Sequence, residues 1–491
     1  MLTKETLQDL MKTKLGDTPF IVVSNREPYE HRYVPGGKVR WQRTHGGLVS
    51  ALDPVLRASG GTWISHGSGD ADRDTVDKND CVRVPPDDPK YILRRVWLSK
   101  EEQDAFYYGY SNSALWPLCH IVYTRPEFSQ RDWKVYQEIN RRFADAVLAE
   151  LKRRKAEKAF VFIQDFHLTL VPKYLKERNP NIVVAHFWHI PWPNPEAFRI
   201  CPQRQEILEG LLANDLLGFH IQYHCNNFMD TVAANLEARV DREHNAVVFG
   251  GTTTYVRPFP ISIDFTDAQA AADSPEAKDV MAKIREELGP DEVTVAVGVD
   301  RIDYTKGIPE RLKAIDLFLE RWPEYQGRFV YLGIGVLSRI RLETYKALND
   351  DITRLVENIN WKYRKGNWAP IHFQRTNLDY PSTMAYYRSA DIGIVSALHD
   401  GMNLVSKEFV AAQLDKRGVL LLSTFAGSAR ELSDAILINP FDIEAFASAL
   451  KHAAGLPADE KARRISKMQE YLAENNIYKW LGDIILQLTR L

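Results

Sequence analysis

No run of this sequence is apolar for long enough to span a bilayer, which excludes a chain anchored by a transmembrane helix. The first seventeen residues mix Leu with Lys, Glu and Asp and lack the apolar centre of a signal peptide. Cysteine is scarce. The four present, Cys81, Cys119, Cys201 and Cys225, include no CxxC pair, so neither a zinc cluster nor a thioredoxin-like site is indicated. They read as buried thiols of a reducing compartment. Net charge is nearly absent, with 63 Lys and Arg against 65 Asp and Glu, a balance of −2. No global field therefore draws nucleic acid or an anionic membrane, and any anion site must come from local placement of bases. Repeats and low-complexity segments are missing too. These absences predict a cytoplasmic globular protein.

What is present is ordinary in bulk and ordered in detail. The 491 residues argue for two or three domains, and 45% hydrophobic with 26% charged residues can build a large core. Short apolar, β-prone runs alternate with helical patterns along the chain. Strands are expected at 19–23, 62–65, 160–163, 182–187 and 216–219, and again at 293–299, 329–334, 371–374, 392–395, 419–423 and 435–438. A helix over 130–154 carries Trp133, Tyr136, Ile139, Phe143, Val147 and Leu151 on one face. Such alternation marks parallel sheets covered by helices, an α/β class in which ligands sit at the carboxyl ends of strands. Asp165, His189 and His220 fall at three such ends. Residues 28–44 read as a polar loop. Residues 106–117, aromatic and polar together with no clean period, read as either a carbohydrate-stacking segment or a packed aromatic cluster.

Two loops carry the strongest chemistry. Asp300 to Gly307 ends a strand and precedes a helix with Pro309 in its first turn. Arg301 and Lys306 bracket it, a fork and a mobile point charge that together suit a diphosphate, although solvated bases beside Asp303 would look the same. Ser396 to Glu408 repeats the strand–loop–helix plan. Gly401 permits a sharp turn, the following helix offers unpaired amides, and Asp400 and Glu408 are hydroxyl acceptors. A plain helix cap is the simpler alternative.

Several motifs together carry a family resemblance. They are Ser24-Asn25-Arg26, Gly46-Gly47-Leu48, Tyr110-Ser111-Asn112-Ser113-Ala114-Leu115-Trp116-Pro117, Asp165-Phe166-His167-Leu168, His189-Ile190-Pro191-Trp192-Pro193, Asp300 to Gly307, and Asp400-Gly401-Met402-Asn403-Leu404-Val405. In this order, over nearly the whole chain, they resemble the trehalose-6-phosphate synthase family. The resemblance implies a GT-B fold: two Rossmann-like domains facing a cleft. The expected division is an acceptor-binding domain at 1–263, a nucleotide-sugar domain at 264–465, and a helix at 466–491 returning to the first domain.

The resemblance also implies a retaining transfer of glucose from a nucleotide diphosphate donor, UDP-glucose by expectation, to glucose 6-phosphate. Neither a metal nor a cofactor is expected, and no acidic DxD-type cluster stands in the relevant loop. By matching positions, Arg301 and Lys306 hold the donor diphosphate with Gly47 beside it. Asp400 and the amides of Gly401, Met402 and Asn403 hold the sugar. Leu404 and Val405 amides lie near the phosphates, Glu408 takes the ribose, and His189 approaches the donor sugar. The catalytic set is His189, Arg301, Lys306 and Asp400. Arg26, Tyr107, Trp116, Asp165 and Arg339 match acceptor positions, with Arg26 and Arg339 on its phosphate.

The departures lie on the acceptor side. His66 stands where the family has a second Trp, and the loop after Arg26 is long. Glycerol 3-phosphate or a cyclitol phosphate therefore remains an open acceptor. A catalytically silent sugar-phosphate sensor is the alternative of another class. A separate phosphatase is expected to act on the product. The donor base and the oligomeric state are not legible.

Overall fold

A computed structural model describes residues 2–44, 47–288 and 293–490. His45 and Gly46 of the glycine motif lie outside the described residues. The chain divides into two compact units, Met1–Ile261 with Ile477–Leu491, and Ser262–Asn476.

The second unit is a six-stranded, wholly parallel sheet. Its spatial order is Ile371–Gln374, Phe329–Val336, Thr294–Arg301, Ile392–Val395, Val419–Ser423, Ile436–Ile438. Counted along the chain this is 3-2-1-4-5-6, the doubly wound order, with its switch point between Thr294–Arg301 and Ile392–Val395. Both faces are covered. Val295, Val297, Leu420 and Leu422 pack on one side with Phe409 and Met384, while Ala296, Ile394, Val419 and Leu421 pack on the other with Leu312, Ile315 and Phe446. Burial on both faces is why these strands read as continuous apolar runs rather than as alternating ones.

The first unit holds a ten-stranded sheet. Its parallel core runs Thr252–Pro258, Leu216–Phe219, Val183–Phe187, Phe160–Gln164, Phe20–Val23, Thr62–His66, Tyr91–Val96. Antiparallel strands close both edges, Cys81–Val84 at one and Ala246–Phe249 with Arg239–Asp241 at the other. The direction of winding reverses between Phe20–Val23 and Phe160–Gln164, so Arg26 and Asp165 follow the two strands that flank this switch point. All four cysteines are buried and free.

Three local expectations are corrected. The polar stretch 28–44 is a β-hairpin, Tyr29–Val34 paired with Lys38–Arg43. Its first strand is anchored because Asp72 accepts the His31 amide at 2.7 Å. Residues 104–115 form a wide helical segment. The amide of Asn112 and the hydroxyl of Ser113 reach back five residues to the carbonyls of Tyr107 and Tyr108. The helix expected over 196–214 is two, Pro195–Phe198 and Arg204–Leu211. The terminal helix is also two, Ala458–Glu474 and Ile477–Leu488. Ile477–Leu488 packs on Lys4–Leu15, with Gly482 against Leu2, and sets Trp480 on Phe162 and Phe187. Among the described residues no helix is long and apolar enough to cross a membrane.

Candidate functional site

The two loops at the switch point of the second unit are tied to one another. The amide of Leu398 donates to the carbonyl of Thr305 at 2.7 Å. The hydroxyl of Ser396 reaches the carbonyls of Lys306 and Gly307 at 3.1 and 2.9 Å. Gly307 sits at φ +62°, and a Cβ there would lie 2.1 Å from the carbonyl oxygen of Ser396. This close approach requires glycine and starts the helix Ile308–Arg321. A third strand end joins them: the amides of Gly427 and Ser428 donate to the carbonyls of Asp400 and Met402.

Within this frame Lys306 Nζ lies 2.6 Å from Asp400 Oδ2. The same carboxylate takes the Asn403 amide at 3.1 Å and the Met402 N–H at 3.4 Å. Asn403 stands at φ +81°, a strained setting for a side chain, and caps the helix Leu404–Ala412 by accepting from Ser406 N. The helix N-terminus at Leu404 and Val405 therefore opens beside a carboxylate and an ammonium, an arrangement that can grip hydroxyls and an anionic group together.

Arg301 Nη2 lies 3.9 Å from Asp303 Oδ2, and Arg339 Nη1 lies 3.1 Å from the same oxygen. Arg301, Lys306, Arg339, Asp400 and the run Gly401 to Val405 thus belong to one unit, and three of the four charged groups are linked to a carboxylate of that unit. Glu408 is half-buried, and burial alone pushes its carboxyl up to about 7, with no charge or hydrogen bond among the described residues offsetting it. The folded state holds this proton where the unfolded chain has lost it. The group's contribution to stability therefore falls as pH rises from about 4.5 to about 7.

The first unit gathers a different set. Asp165, at φ +71°, receives the backbone amide of His189 on Oδ1 at 3.3 Å. His189 Nε2 lies 2.8 Å from Gln164 Oε1, and His220 Nε2 donates to the His189 carbonyl at 3.1 Å. The three polar strand ends are therefore one chain of contacts. Burial holds His189 down to about 3, so it acts as a neutral imidazole. Tyr107 stacks on His167 with centroids 5.7 Å apart, and buried Trp116 packs on Phe166 at 5.8 Å, so both rings flank Asp165 through its neighbours. Arg26 is exposed on a pinned backbone, since Ser24 Oγ donates to its carbonyl at 2.7 Å. His66 is buried at the adjacent strand end. Its N–H reaches the Asn25 carbonyl, and its Nδ1 donates to the Val96 carbonyl at 3.1 Å. Burial lowers its pKa and favours the neutral ring. Gly47 begins the helix Gly47–Ser59.

Residues 18–490 match Glycosyltransferase family 20, which is nearly the full length of the chain. The chain belongs to this family. It is 37% identical to the trehalose-6-phosphate synthase of Mycolicibacterium smegmatis over 482 residues, covering 96% of this chain and 93% of that one. Among solved structures it is similar to the E. coli trehalose-6-phosphate protein bound with UDP-2-fluoro glucose, with 30% identity, a TM-score of 0.85, and 96% and 99% of the two chains covered. It is also similar to an α,α-trehalose-phosphate synthase (UDP-forming) of Burkholderia xenovorans in complex with glucose 6-phosphate, with 26% identity, a TM-score of 0.85, and 96% and 99% covered. The fold is thus that of the GT-B transferases, as the resemblance implied.

Sequence reasoning missed the residues that support this family 20 site from behind. Fully buried Arg311 ties Asp300 at 2.6 Å, Ser396 at 3.0 Å and Tyr331 at 2.8 Å, so one guanidinium braces both loops. A signal existed in Gly298, a glycine inside a strand, where a Cβ would lie 2.0 Å from Arg311 Nη1. Buried Lys407 pairs with Glu431 at 2.7 Å, and Tyr471 donates to Glu431 at 2.7 Å. Among the described residues no group of three or more His, Cys, Asp or Glu is placed to hold a metal ion.

Proposed function

We propose that this transferase moves glucose from UDP-glucose to glucose 6-phosphate with retention, forming α,α-trehalose 6-phosphate and UDP. The observation that carries the reading is the convergence of Arg301, Lys306, Asp400 and a helix N-terminus at one topological switch point. Arg301 and Lys306 neutralise the diphosphate as the bond from glucose C1 to the leaving oxygen breaks. The acceptor hydroxyl attacks C1 from the same face. Its proton passes to the leaving phosphate oxygen, so no carboxylate nucleophile is needed. Asp400 and the Gly401–Asn403 amides orient the donor sugar, and Glu408 takes the ribose hydroxyls. Two side-chain cations on the diphosphate supply the charge stabilisation that a metal would otherwise bring. Neutral His189 offers the donor sugar a hydrogen bond rather than a charge. Arg26 and Arg339 take the acceptor phosphate, with Tyr107, Trp116 and Asp165 around the acceptor sugar.

The test is an acceptor panel. Purified protein with UDP-glucose is expected to release UDP with glucose 6-phosphate faster than with glycerol 3-phosphate or a cyclitol phosphate. Because His66 stands in for an expected Trp, a reversed order would reassign the acceptor while leaving the donor site in place. Release with none of the three would favour a silent sensor.

The Glu408 assignment makes a separate prediction. Ribose hydroxyls donate to the ionised carboxylate, so UDP binding favours deprotonation of a group resting near about 7. Titration calorimetry with UDP-glucose, whose phosphates have no ionisation in this range, in buffers of different ionisation heat should show proton release at pH 6 and little at pH 8, with affinity falling as the pH is lowered. Glu408→Gln should abolish that release. Persistent proton release in the variant would place the ribose elsewhere.

A further inference from the structure

One carboxylate, Asp303, lies beside all three bases of the second unit assigned to phosphates, Arg301, Lys306 and Arg339. Its side chain is fully buried. Oδ1 accepts from the amide and the hydroxyl of Thr305, both at 3.0 Å, and its backbone carbonyl accepts from Lys306 N at 3.0 Å. These contacts fix the turn that presents Lys306. Oδ2 faces the other way. It takes Arg339 Nη1 at 3.1 Å and the Tyr345 hydroxyl at 3.3 Å, with Arg301 Nη2 3.9 Å away. Tyr345 also lies 2.6 Å from Arg339 Nη1. Burial alone would raise this carboxyl, but the charges of Arg339, Arg301 and Lys306 outweigh it and hold it below the usual range. It is therefore ionised whenever the site works. Two guanidiniums that would otherwise repel are held about one anion, and neither can turn toward a ligand without changing its share of that anion.

We propose that Asp303 is a positioning residue that couples the two phosphate sites, linking the orientation of Arg301 on the donor diphosphate to that of Arg339 on the acceptor phosphate. The inference rests on the functional reading above and adds a consequence to it. The two substrates do not bind independently, and a single residue that touches neither sets their mutual effect.

Calorimetric titration of the full chain with UDP and, separately, with glucose 6-phosphate tests this. Asp303→Asn keeps the shape but loses the charge, and it should weaken both ligands by on the order of tenfold. Thr305→Val removes one bond on the Oδ1 side and leaves the Oδ2 face intact. It should leave both affinities within about threefold, which a merely structural loosening of the turn would not do. If Asp303→Asn fails to fold, the charge-conserving cycle of Arg301→Lys, Arg339→Lys and the double variant decides the matter. Coupling requires that the losses in glucose 6-phosphate affinity, measured with UDP bound, depart from multiplicativity by more than about threefold. Multiplicative losses, or a folded Asp303→Asn that weakens one ligand alone, overturn the proposal and leave the functional reading standing. Wild-type protein that binds neither ligand would remove the functional reading itself.

Discussion

Lys306→Ala is expected to lower kcat by about a hundred- to a thousandfold and to leave the protein folded. The reason is where its charge stands. Nζ is held 2.6 Å from Asp400 Oδ2 at the mouth of the Leu404–Ala412 helix, and the side chain is 13% exposed. In the ground state this ammonium and Asp400 largely satisfy one another. In the transition state negative charge grows on the leaving diphosphate, and the fixed cation gains an interaction that substrate binding alone does not supply. The structural cost of removing it is small by comparison. Asp400 keeps the Asn403 amide and the Met402 N–H, so the loss is about 1–3 kcal/mol of stability. Steady-state kinetics at saturating donor and acceptor, with a thermal melt alongside, separates the two effects. Unchanged kcat in a folded variant would remove Lys306 from the reaction.

Arg339→Ala should act on the acceptor. Its guanidinium belongs to a buried pair with Asp303, with side chains 3% and 0% exposed, and it reaches Tyr345 as well. Removing it leaves a buried carboxylate whose remaining charged partner is Arg301 at 3.9 Å, at a cost of up to about 3–5 kcal/mol of stability. It also removes a charge-assisted, fork-shaped partner for the acceptor phosphate, so the KM for glucose 6-phosphate should rise by at least about tenfold. The decisive control is glucose, which lacks the phosphate. At saturating UDP-glucose, wild type and variant should use glucose equally poorly, because the lost contact has nothing to hold. A variant that loses glucose and glucose 6-phosphate activity in the same proportion would show that Arg339 acts through the fold rather than on the phosphate.

The two strand-end loops of the second unit were legible as polar loops because their residues are local. Arg301, Lys306 and Asp303 lie within six residues of one another, as do Asp400 and the helix start at Leu404, and each follows a strand that an unbroken apolar run betrays. The supports were illegible because they act over long stretches of sequence. Asp303 meets Arg339 across 36 residues and Arg311 meets Ser396 across 85, so no local spacing reveals either pairing. The hairpin at 29–43 was hidden for a related reason. Its second strand, Lys38–Arg43, alternates only Val39 and Trp41 with charged and polar residues and leaves both exposed, and Tyr29 is buried through contacts with Asp53 and Arg57 of a later helix. The aromatic stretch 104–115 shows no clean period because its wide helical turn breaks the usual one. Phe106 and Tyr110 nonetheless pack on Tyr136 as core rings, so that part of the segment is cluster rather than binding surface.

The central claim is that Arg301, Lys306 and Asp400 serve a retaining glucosyl transfer without a metal. Proton NMR of the product formed from UDP-glucose and glucose 6-phosphate in excess chelator tests it most directly. A 1,1-linked disaccharide phosphate should accumulate in which both anomeric protons show the small coupling of the α configuration, at a rate the chelator does not change. A β-configured donor-derived anomeric centre, or turnover that stops with the chelator and returns on adding a divalent cation, would contradict it.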